Sequence, residues 1–521
     1  MKGSVLRLFF MVSTILITII LTLPCMAAQE QVGMAATDNQ GVALHLSLQE
    51  LIEMVREKNE RIQFQGLEWD ITRDAIDNAE SIFEPQFVAS YLHDYSYIPK
   101  SIEDYSSLGF LDQNDSYRKH NNEYAAAMEG LLPSGGQVRF GYTLKELQSS
   151  LLDSSNIDSQ YQTFVGVSLV QPLLKNAGFR VTKANIRVAE ADAYMALQNY
   201  RREMLEIVAE ATTAYWDLCL AKEKLGVRQD SVRIAEEILH DNRERVRNGK
   251  MAETEVIEAE AGLALRKTNE IASRQELTAA INAIKTLISM PSAETPGMIV
   301  ASDKLVRKNM EVEFADSYKT SLYMRPEYLS TIKKIEKEEI RVAYAENQRW
   351  PQLDLKASYG LNGLGDDRLG ESWNMAQRGE YESWTVGAEF RIPLMGGAKT
   401  RSELAAANKR KKQSLLELKA TEVALANAVD TGVKNVRSAL TQADGYAEAV
   451  RLNERLLEVE LERLNAGLGN SRIVLEREEE LNRTRESFLE SLVNVEKALV
   501  ALEAVKGTLL QNYGIDVMEA S

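Results

Sequence analysis

Two long stretches of this chain contain no proline. None occurs in the 118 residues between Pro172 and Pro291, and none in the 128 that follow Pro393. Proline fixes φ and lacks an amide proton, so it breaks helix interiors; its absence over such lengths favours very long helices. Inside these stretches apolar residues recur at every seventh position. Leu197, Met204, Ala211, Leu218, Leu225, Val232, Leu239 and Val246 form one series. Leu415, Glu422, Val429, Val436, Ala443, Val450, Leu457 and Leu464 repeat it 218 residues later, seven of the eight being apolar. A sustained seven-residue repeat makes neighbouring helices supercoil left-handedly. Arg180 to Asn248 is 69 residues, or about 100 Å of helix at 1.5 Å per residue. No globular domain needs that length. Helices alone leave an ordinary coiled-coil rod open.

The 218-residue offset is part of a larger duplication. Residues 47–83 and 320–349 are both helical by pattern, and both run into a proline, as Glu84-Pro85-Gln86-Phe87 and Trp350-Pro351-Gln352-Leu353, 266 apart. Val165–Leu173 and Val386–Leu394 each end a strand-like run with Pro172 or Pro393, 221 apart. Arg245-Val246-Arg247-Asn248-Gly249 and Arg463-Leu464-Asn465-Ala466-Gly467 lie 218 apart. Each half reads helix, strand, strand, long helix, glycine turn, helix. Gly249 and Gly467 fit left-handed positions that reverse the chain. The first half carries about 45 extra residues between its strands.

Those strands separate a rod from a channel. In Gln86–Tyr97 one face holds Phe87, Ala89, Tyr91, His93, Tyr95 and Tyr97, and the other Gln86, Val88, Ser90, Leu92, Asp94 and Ser96. Gln352–Asn362 and Ser383–Ile392 alternate likewise, with Leu353, Leu355, Ala357, Tyr359 and Leu361 on one and Trp384, Val386, Ala388, Phe390 and Ile392 on the other. An aliphatic and aromatic face backed by a small, polar or charged face matches a membrane strand with lipid outside and water inside. The extra residues add strand-like Glu123–Gly130 and Gln137–Lys145 around the turn Leu131–Gly136. They fit either two more wall strands or a hairpin outside the membrane. Residues 98–122 and 363–380 read as long polar external loops. Four to six strands do not close a barrel, since the small membrane barrels have eight, and open edges do not survive in lipid. The barrel is therefore shared between chains; three chains of four strands would give twelve.

The amino terminus fits this. Lys2 and Arg7 precede the apolar stretch Leu8–Leu23, followed by Cys25-Met26-Ala27-Ala28. That stretch is shorter than the ~20 residues of a spanning helix and reads as a secretory signal over 1–28. A lipid anchor at Cys25 is the alternative reading. The chain carries 61 basic and 77 acidic residues, net −16; losing Lys2 and Arg7 with the leader leaves −18. That balance excludes a general nucleic-acid binder. Cys25 and Cys219 are the two cysteines, and the histidines are His45, His93, His120 and His240. They make neither a disulfide framework nor a metal-ligand spacing. No phosphate-binding Gly-x-x-x-x-Gly-Lys-Ser/Thr loop occurs, and Gly363-Leu364-Gly365-Asp366 lacks the third glycine of a dinucleotide fingerprint. No catalytic residue, cofactor or metal is expected.

From residue 47 to about 510 the chain resembles the TolC-like outer membrane efflux proteins. Leu46-Ser47-Leu48-Gln49-Glu50-Leu51 through Asn59 looks like the family's first helix. Arg325-Pro326-Glu327 looks like the equivalent point of the second half, 266 residues after Asn59-Glu60-Arg61. Ala214-Tyr215-Trp216-Asp217-Leu218 is similar to its mid-helix signature. The resemblance implies a mainly α fold with a β-barrel segment. A tandem structural repeat would form a shared outer-membrane β-barrel plus a long α-helical coiled-coil tunnel in the periplasm. The expected layout is signal 1–28, linker 29–46, first repeat 47–290, inter-repeat segment 291–319, second repeat 320–513 and tail 514–521. It also implies a homotrimer in outer membrane lipid, joined through a periplasmic adaptor to an inner-membrane pump.

In the family the helix after each tip glycine commonly reads acid-Val-Leu-acid-Ala, and those acids line the closed periplasmic mouth. Here the first half has Glu255-Val256-Ile257-Glu258-Ala259, and the second Ile473-Val474-Leu475-Glu476-Arg477. Ile473 departs from the acidic position. Glu476 keeps the other, and Glu479 lies one turn on. Acids from symmetry-related chains would concentrate negative potential in a narrow pore and favour cations. The tips supply candidate adaptor contacts: Gly249, Gly467, Arg245, Lys250, Arg463 and Leu468. The expected function is a passive conduit of a tripartite efflux or type I secretion system, with a poreless periplasmic scaffold as the alternative; cargo is not legible.

Overall fold

The computed structural model describes residues 44–102, 115–150, 158–291, 299–307, 310–366, 368–393, 397–466 and 468–517. The expected leader, with Cys25, and Gly467 lie outside the described residues.

Each half begins with a broken helix. In the first, Ser47 and Glu50 form a reciprocal capping box that starts α1 (Leu48–Lys58), and Asn59 then caps α2 (Glu60–Glu80) through its side chain. In the second, α6 (Phe314–Met324) stops at Arg325, and α7 (Pro326–Asn347) starts with Pro326 in its first turn. Asn59 has φ −71° and ψ 121°, and Arg325 has φ −71° and ψ 117°. The expected single helices 47–83 and 320–349 are thus both broken, and at equivalent residues 266 apart. An extended residue before Pro326 is what proline imposes on its predecessor; Asn59 reaches the same geometry through its cap.

The long helices are α4 (Ala184–Arg247) and α9 (Ala398–Asn465), returning as α5 (Glu253–Leu287) and α10 (Ser471–Lys506). A short α3 (Phe179–Thr182) precedes α4, with Lys183 between them. The heptad series points inward along most of its length: Leu197, Met204, Ala211, Leu218, Val232 and Leu239 are buried in α4, and Val429, Val436, Ala443 and Leu464 in α9. Leu415 is exposed, because there α9 turns other residues toward α7.

Two cores follow. In the first, Leu51, Ile52 and Val55 of α1 meet Ile207, Val208, Tyr215 and Leu218 of α4 and Ile284 of α5. A two-stranded parallel sheet of β1 (Leu44–Leu46) and β6 (Ile299–Ala301) closes over it. Tyr215, from the family-like signature, is fully buried and donates its hydroxyl to Asp303 Oδ2 at 2.6 Å. The second core is aliphatic: Leu425, Val429, Val433 and Val436 of α9 against Leu492, Val495, Leu499 and Leu502 of α10.

Above the helices stands one six-stranded antiparallel sheet. Its strands are β2 (Gln86–Pro99), β3 (Ser116–Leu131), β4 (Gln137–Ser149), β5 (Gln160–Pro172), β7 (Gln352–Asp366) and β8 (Glu382–Arg391), paired in that order. The extra segment of the first half is therefore two wall strands, β3 and β4, in continuous register with their neighbours. One cross-strand row runs Phe87, Met128, Phe140, Val167, Tyr359, Trp384, and all six are exposed. The opposite face is bridged by Glu129–Arg139 at 3.4 Å, Glu123–Lys145 at 3.1 Å and Lys356–Glu389. Phe164 lies over two glycines there: a Cβ at Gly166 would come within 2.7 Å of its ring and one at Gly360 within 2.4 Å. β2 and β8 are open edges.

The expected loop 363–380 instead continues β7 to Asp366 and then forms α8 (Leu369–Arg378), closed by Gly379 at φ +70°. Its polar composition hid a helix that buries only small residues, Ser372 and Ala376. Gly363 and Gly365 admit it, since a Cβ at Gly363 would sit 1.8 Å from the Ser372 carbonyl oxygen. Among the described residues no helix is long and apolar enough to cross a membrane.

Candidate functional site at the helical tip

At the first tip, Gly249 adopts φ +68°. Its N–H donates to the Val246 carbonyl at 2.9 Å, and the Lys250 N–H donates to that of Arg245 at 2.8 Å. This is a Schellman closure, and its left-handed residue favours glycine. At the second tip the Leu468 N–H donates to the Arg463 carbonyl at 2.9 Å, the equivalent bond. Asn470 then caps α10, accepting from the Arg472 N–H at 2.7 Å.

The two hairpins of the chain meet just behind these turns. Ser471 donates to Asn242 Oδ1 at 2.9 Å, and Asn242 donates onward to the Glu255 carbonyl at 3.3 Å. Asn470 donates to Glu255 Oε1 at 3.3 Å, while Oε2 is enclosed without a hydrogen-bond partner. Glu255 therefore sits between hairpins.

Deeper in, Arg266 of α5 and Glu478 of α10 form a buried pair at 2.6 Å, with side chains 6% and 2% exposed. The guanidinium also donates to Ser231 Oγ at 3.1 Å and the Leu475 carbonyl at 2.9 Å, and Asn482 donates to Glu478. These extra bonds satisfy most of the fork, as burial of such a pair requires.

One further layer up, Arg228 of α4 reaches Glu486 at 2.6 Å and Glu479 at 3.4 Å. Burial pushes the Glu486 carboxyl up, and Arg228 offsets part of that. Burial works against the Arg228 charge, but Glu486 and then Glu479 outweigh it and hold the guanidinium more firmly protonated. Glu479 also pairs with Arg483 at 3.4 Å.

The candidate acids thus divide. Glu255 and Glu479 are engaged between helices. Glu258 is exposed, and Glu476 is exposed in an (i, i+4) pair with Arg472 at 3.2 Å. Among the candidate contacts, Leu468 is 77% exposed, Lys250 is exposed, Arg245 is half-buried, and Arg463 is exposed beside Glu460 at 3.3 Å. Sequence reasoning missed Arg266, Glu478, Asn242 and Ser471. A signal existed: Arg266 stands between Ala259 and Ser273 in a buried seven-residue series, a charge in a core position.

Comparison with known proteins adds the following. Residues 118–289 and 318–508 match the family model described as outer membrane efflux protein. The chain is 23% identical over 299 residues to the alkaline protease secretion protein AprF of Pseudomonas aeruginosa, covering 57% of this chain and 58% of that protein. It is 24% identical over 305 residues to the proteases secretion protein PrtF of Dickeya chrysanthemi, covering 57% of this chain and 63% of that one. Both matches span less than two thirds of those relatives. The outer membrane protein TolC of Escherichia coli is 21% identical over 402 residues, covering 75% and 78%. In fold, the chain resembles the Campylobacter jejuni CmeC outer membrane channel, with TM-score 0.61 at 15% identity, covering 89% of this chain and 86% of that one. The open-state Neisseria gonorrhoeae MtrE outer membrane channel gives TM-score 0.60 at 16% identity, covering 89% of each.

Proposed function

The chain belongs to the outer membrane efflux protein family, and from that premise we propose that it is the outer-membrane channel-tunnel of an export system. The supporting observation is one sheet with an exposed apolar face and a charged opposite face, carried on helices of 64 and 68 residues. A poreless scaffold has no use for that apolar face. The conduit is passive and takes its energy from an inner-membrane pump through a periplasmic adaptor. It works as a homotrimer, so six strands per copy give a wall of eighteen. Walls of 16–18 strands enclose an aqueous channel. The names of AprF and PrtF make polypeptide cargo the first to test, ahead of small molecules.

At the tip, Glu476 and Glu258 are the acids proposed to face the resting pore. Glu255 and Glu479 are proposed to hold the hairpins behind it. Gly249, Gly467, Arg245, Lys250, Arg463 and Leu468 are proposed to meet the adaptor. The test is single-channel recording in planar bilayers. Large water-filled pores with cation preference are expected, and Glu476→Gln with Glu258→Gln should raise resting conductance and weaken that preference. A protein that never inserts, or whose resting conductance ignores both changes, overturns the pore or the gate respectively.

A further inference from the structure

The apolar face of the wall changes character at one height. Along β7 that face shows Leu353, Leu355, Ala357, Tyr359, Leu361 and Gly363. From the first to the last is about 34 Å of strand at ~3.4 Å per residue. Tilted by roughly 35–45°, as membrane strands are, this makes a band about 26 Å high, close to the ~25 Å apolar band of such walls. Its last cross-strand row is Tyr91, Tyr124, Leu144, Thr163 and Gly363. The next row out is polar. There His93 donates to Asn122 Oδ1 at 2.8 Å, Asn122 to Glu146 Oε2 at 3.0 Å, and Tyr161 to Glu146 Oε1 at 3.3 Å. The border between these rows marks where hydrocarbon gives way to headgroups.

α8 lies across that border on the same face. The hydroxyls of Ser372 and Thr163 share a hydrogen bond at 2.9 Å, and Thr163 is 2% exposed. Trp373 meets Tyr142 of β4 edge-on, with ring centroids 5.4 Å apart. The helix thus covers β7 and reaches over β5 toward β4, away from the open edge at β8. A copy joining at β8 leaves it uncovered. Leu369, Ser372, Trp373 and Ala376 have the i, i+3, i+4, i+7 spacing of one helix face. Ser372 and Ala376 are buried on the wall, while Leu369 and Trp373 stay 44% and 39% exposed. Glu371, Asn374 and Arg378 form the opposite side and are all exposed. A short amphipathic helix with a tryptophan at its apolar margin suits the plane of a membrane interface.

β7 starts beside α7 and ends, with α8, at the end of the sheet remote from the long helices. With those helices in the periplasm, that end faces the exterior. We infer that α8 is an interfacial helix resting in the outer leaflet on the lipid side of the wall, with Leu369 and Trp373 at the boundary between acyl chains and headgroups. It fixes how deep the wall sits. The inference rests on the channel reading above.

Depth-dependent fluorescence quenching tests it, with the full chain reconstituted in phosphatidylcholine vesicles. The lipid carries bromine either high on its acyl chains or near their ends. The Trp373 signal is the difference between wild type and Trp373→Phe, which keeps an aromatic ring against Tyr142. Trp384, opposite Tyr359 near the middle of the band, gives the reference signal through Trp384→Phe. Trp373 should be quenched about twofold more by shallow than by deep bromine, and Trp384 the reverse. Trp373→Phe with Asn374→Trp moves the indole about 100° around the helix. That indole should escape the lipid and be quenched by aqueous iodide instead. Circular dichroism confirms that each variant keeps its fold. A Trp373 signal that neither lipid quenches, or one as deep as Trp384, overturns the interfacial helix, as does an indole at 374 that behaves like Trp373. If Trp384 escapes both lipids as well, the membrane wall itself is defeated, and the channel with it.

Discussion

The two halves of the chain share a plan but not an interior. Both break their first helix at the same backbone angles, both send a helix of more than 60 residues to a tip, and both return from it. Where they differ is in what is buried. At offset 218, Tyr215 of the first core is matched by Val433 of the second. Near the tip, Glu478 is buried against Arg266, whereas its counterpart Glu260 is an exposed residue paired with Arg243 across its own hairpin. Duplication supplies matching helices. Polar core residues then distinguish the halves, so that one hairpin recognises the other rather than a copy of itself.

The largest expected effect breaks that distinction. Arg266→Ala or Glu478→Ala leaves a buried charge unpaired and should cost about 3–5 kcal/mol in denaturant unfolding in detergent. Replacing the pair by Arg266→Met with Glu478→Leu should recover most of the loss. A small effect of the single changes would mean that the halves do not depend on this pair.

The next separates the two cores by pH. Burial pushes the Cys219 thiol up to about 12 and raises the Tyr215 phenol as well, with its bond to Asp303 adding to the shift. An unfolded thiol titrates near ~8.5. The stability due to a buried neutral Cys219 is therefore complete below that pH and lost as pH rises toward 12. Alkaline unfolding should begin in the first half, and Cys219→Ala should make its pH dependence shallower. Maleimide should label Cys219 only after denaturation.

A smaller effect sits at the helix breaks. Asn59→Ala removes a side-chain cap and should cost about 1 kcal/mol. Arg325 provides no side-chain cap to α7, so a Gln there should leave helix initiation unchanged, because Pro326 sets it. The smallest is Glu260→Ala, within about 0.5 kcal/mol as an exposed pair, against the several lost at its counterpart.

Much of this was legible in sequence. Heptads and missing prolines pointed to the long helices, and period-two alternation pointed to β2, β7 and β8, because both record which side of an element is buried; for β3 and β4 it left a place in the sheet and an outside hairpin equally open, and the polar residues 116–122 that begin β3 read as loop. The break at Asn59 was not, since one cap leaves little trace in an apolar pattern. α8 was hidden because it buries serine and alanine against glycines, so no apolar period marks it. The tip acids were found as residue types, but which of them face another helix depends on how two hairpins 200 residues apart cross. Arg266–Glu478 is that kind of fact, although a charge in a heptad core was visible in advance.

The bare margins of the sheet also bear on biogenesis. A strand edge has no water to satisfy it inside a bilayer, and in water it is a template for aggregation. A finished single subunit therefore has no stable residence in either compartment. In the shared barrel proposed above, insertion and subunit association become one event, and a single copy needs either a holding factor or further copies within reach to cover its edges.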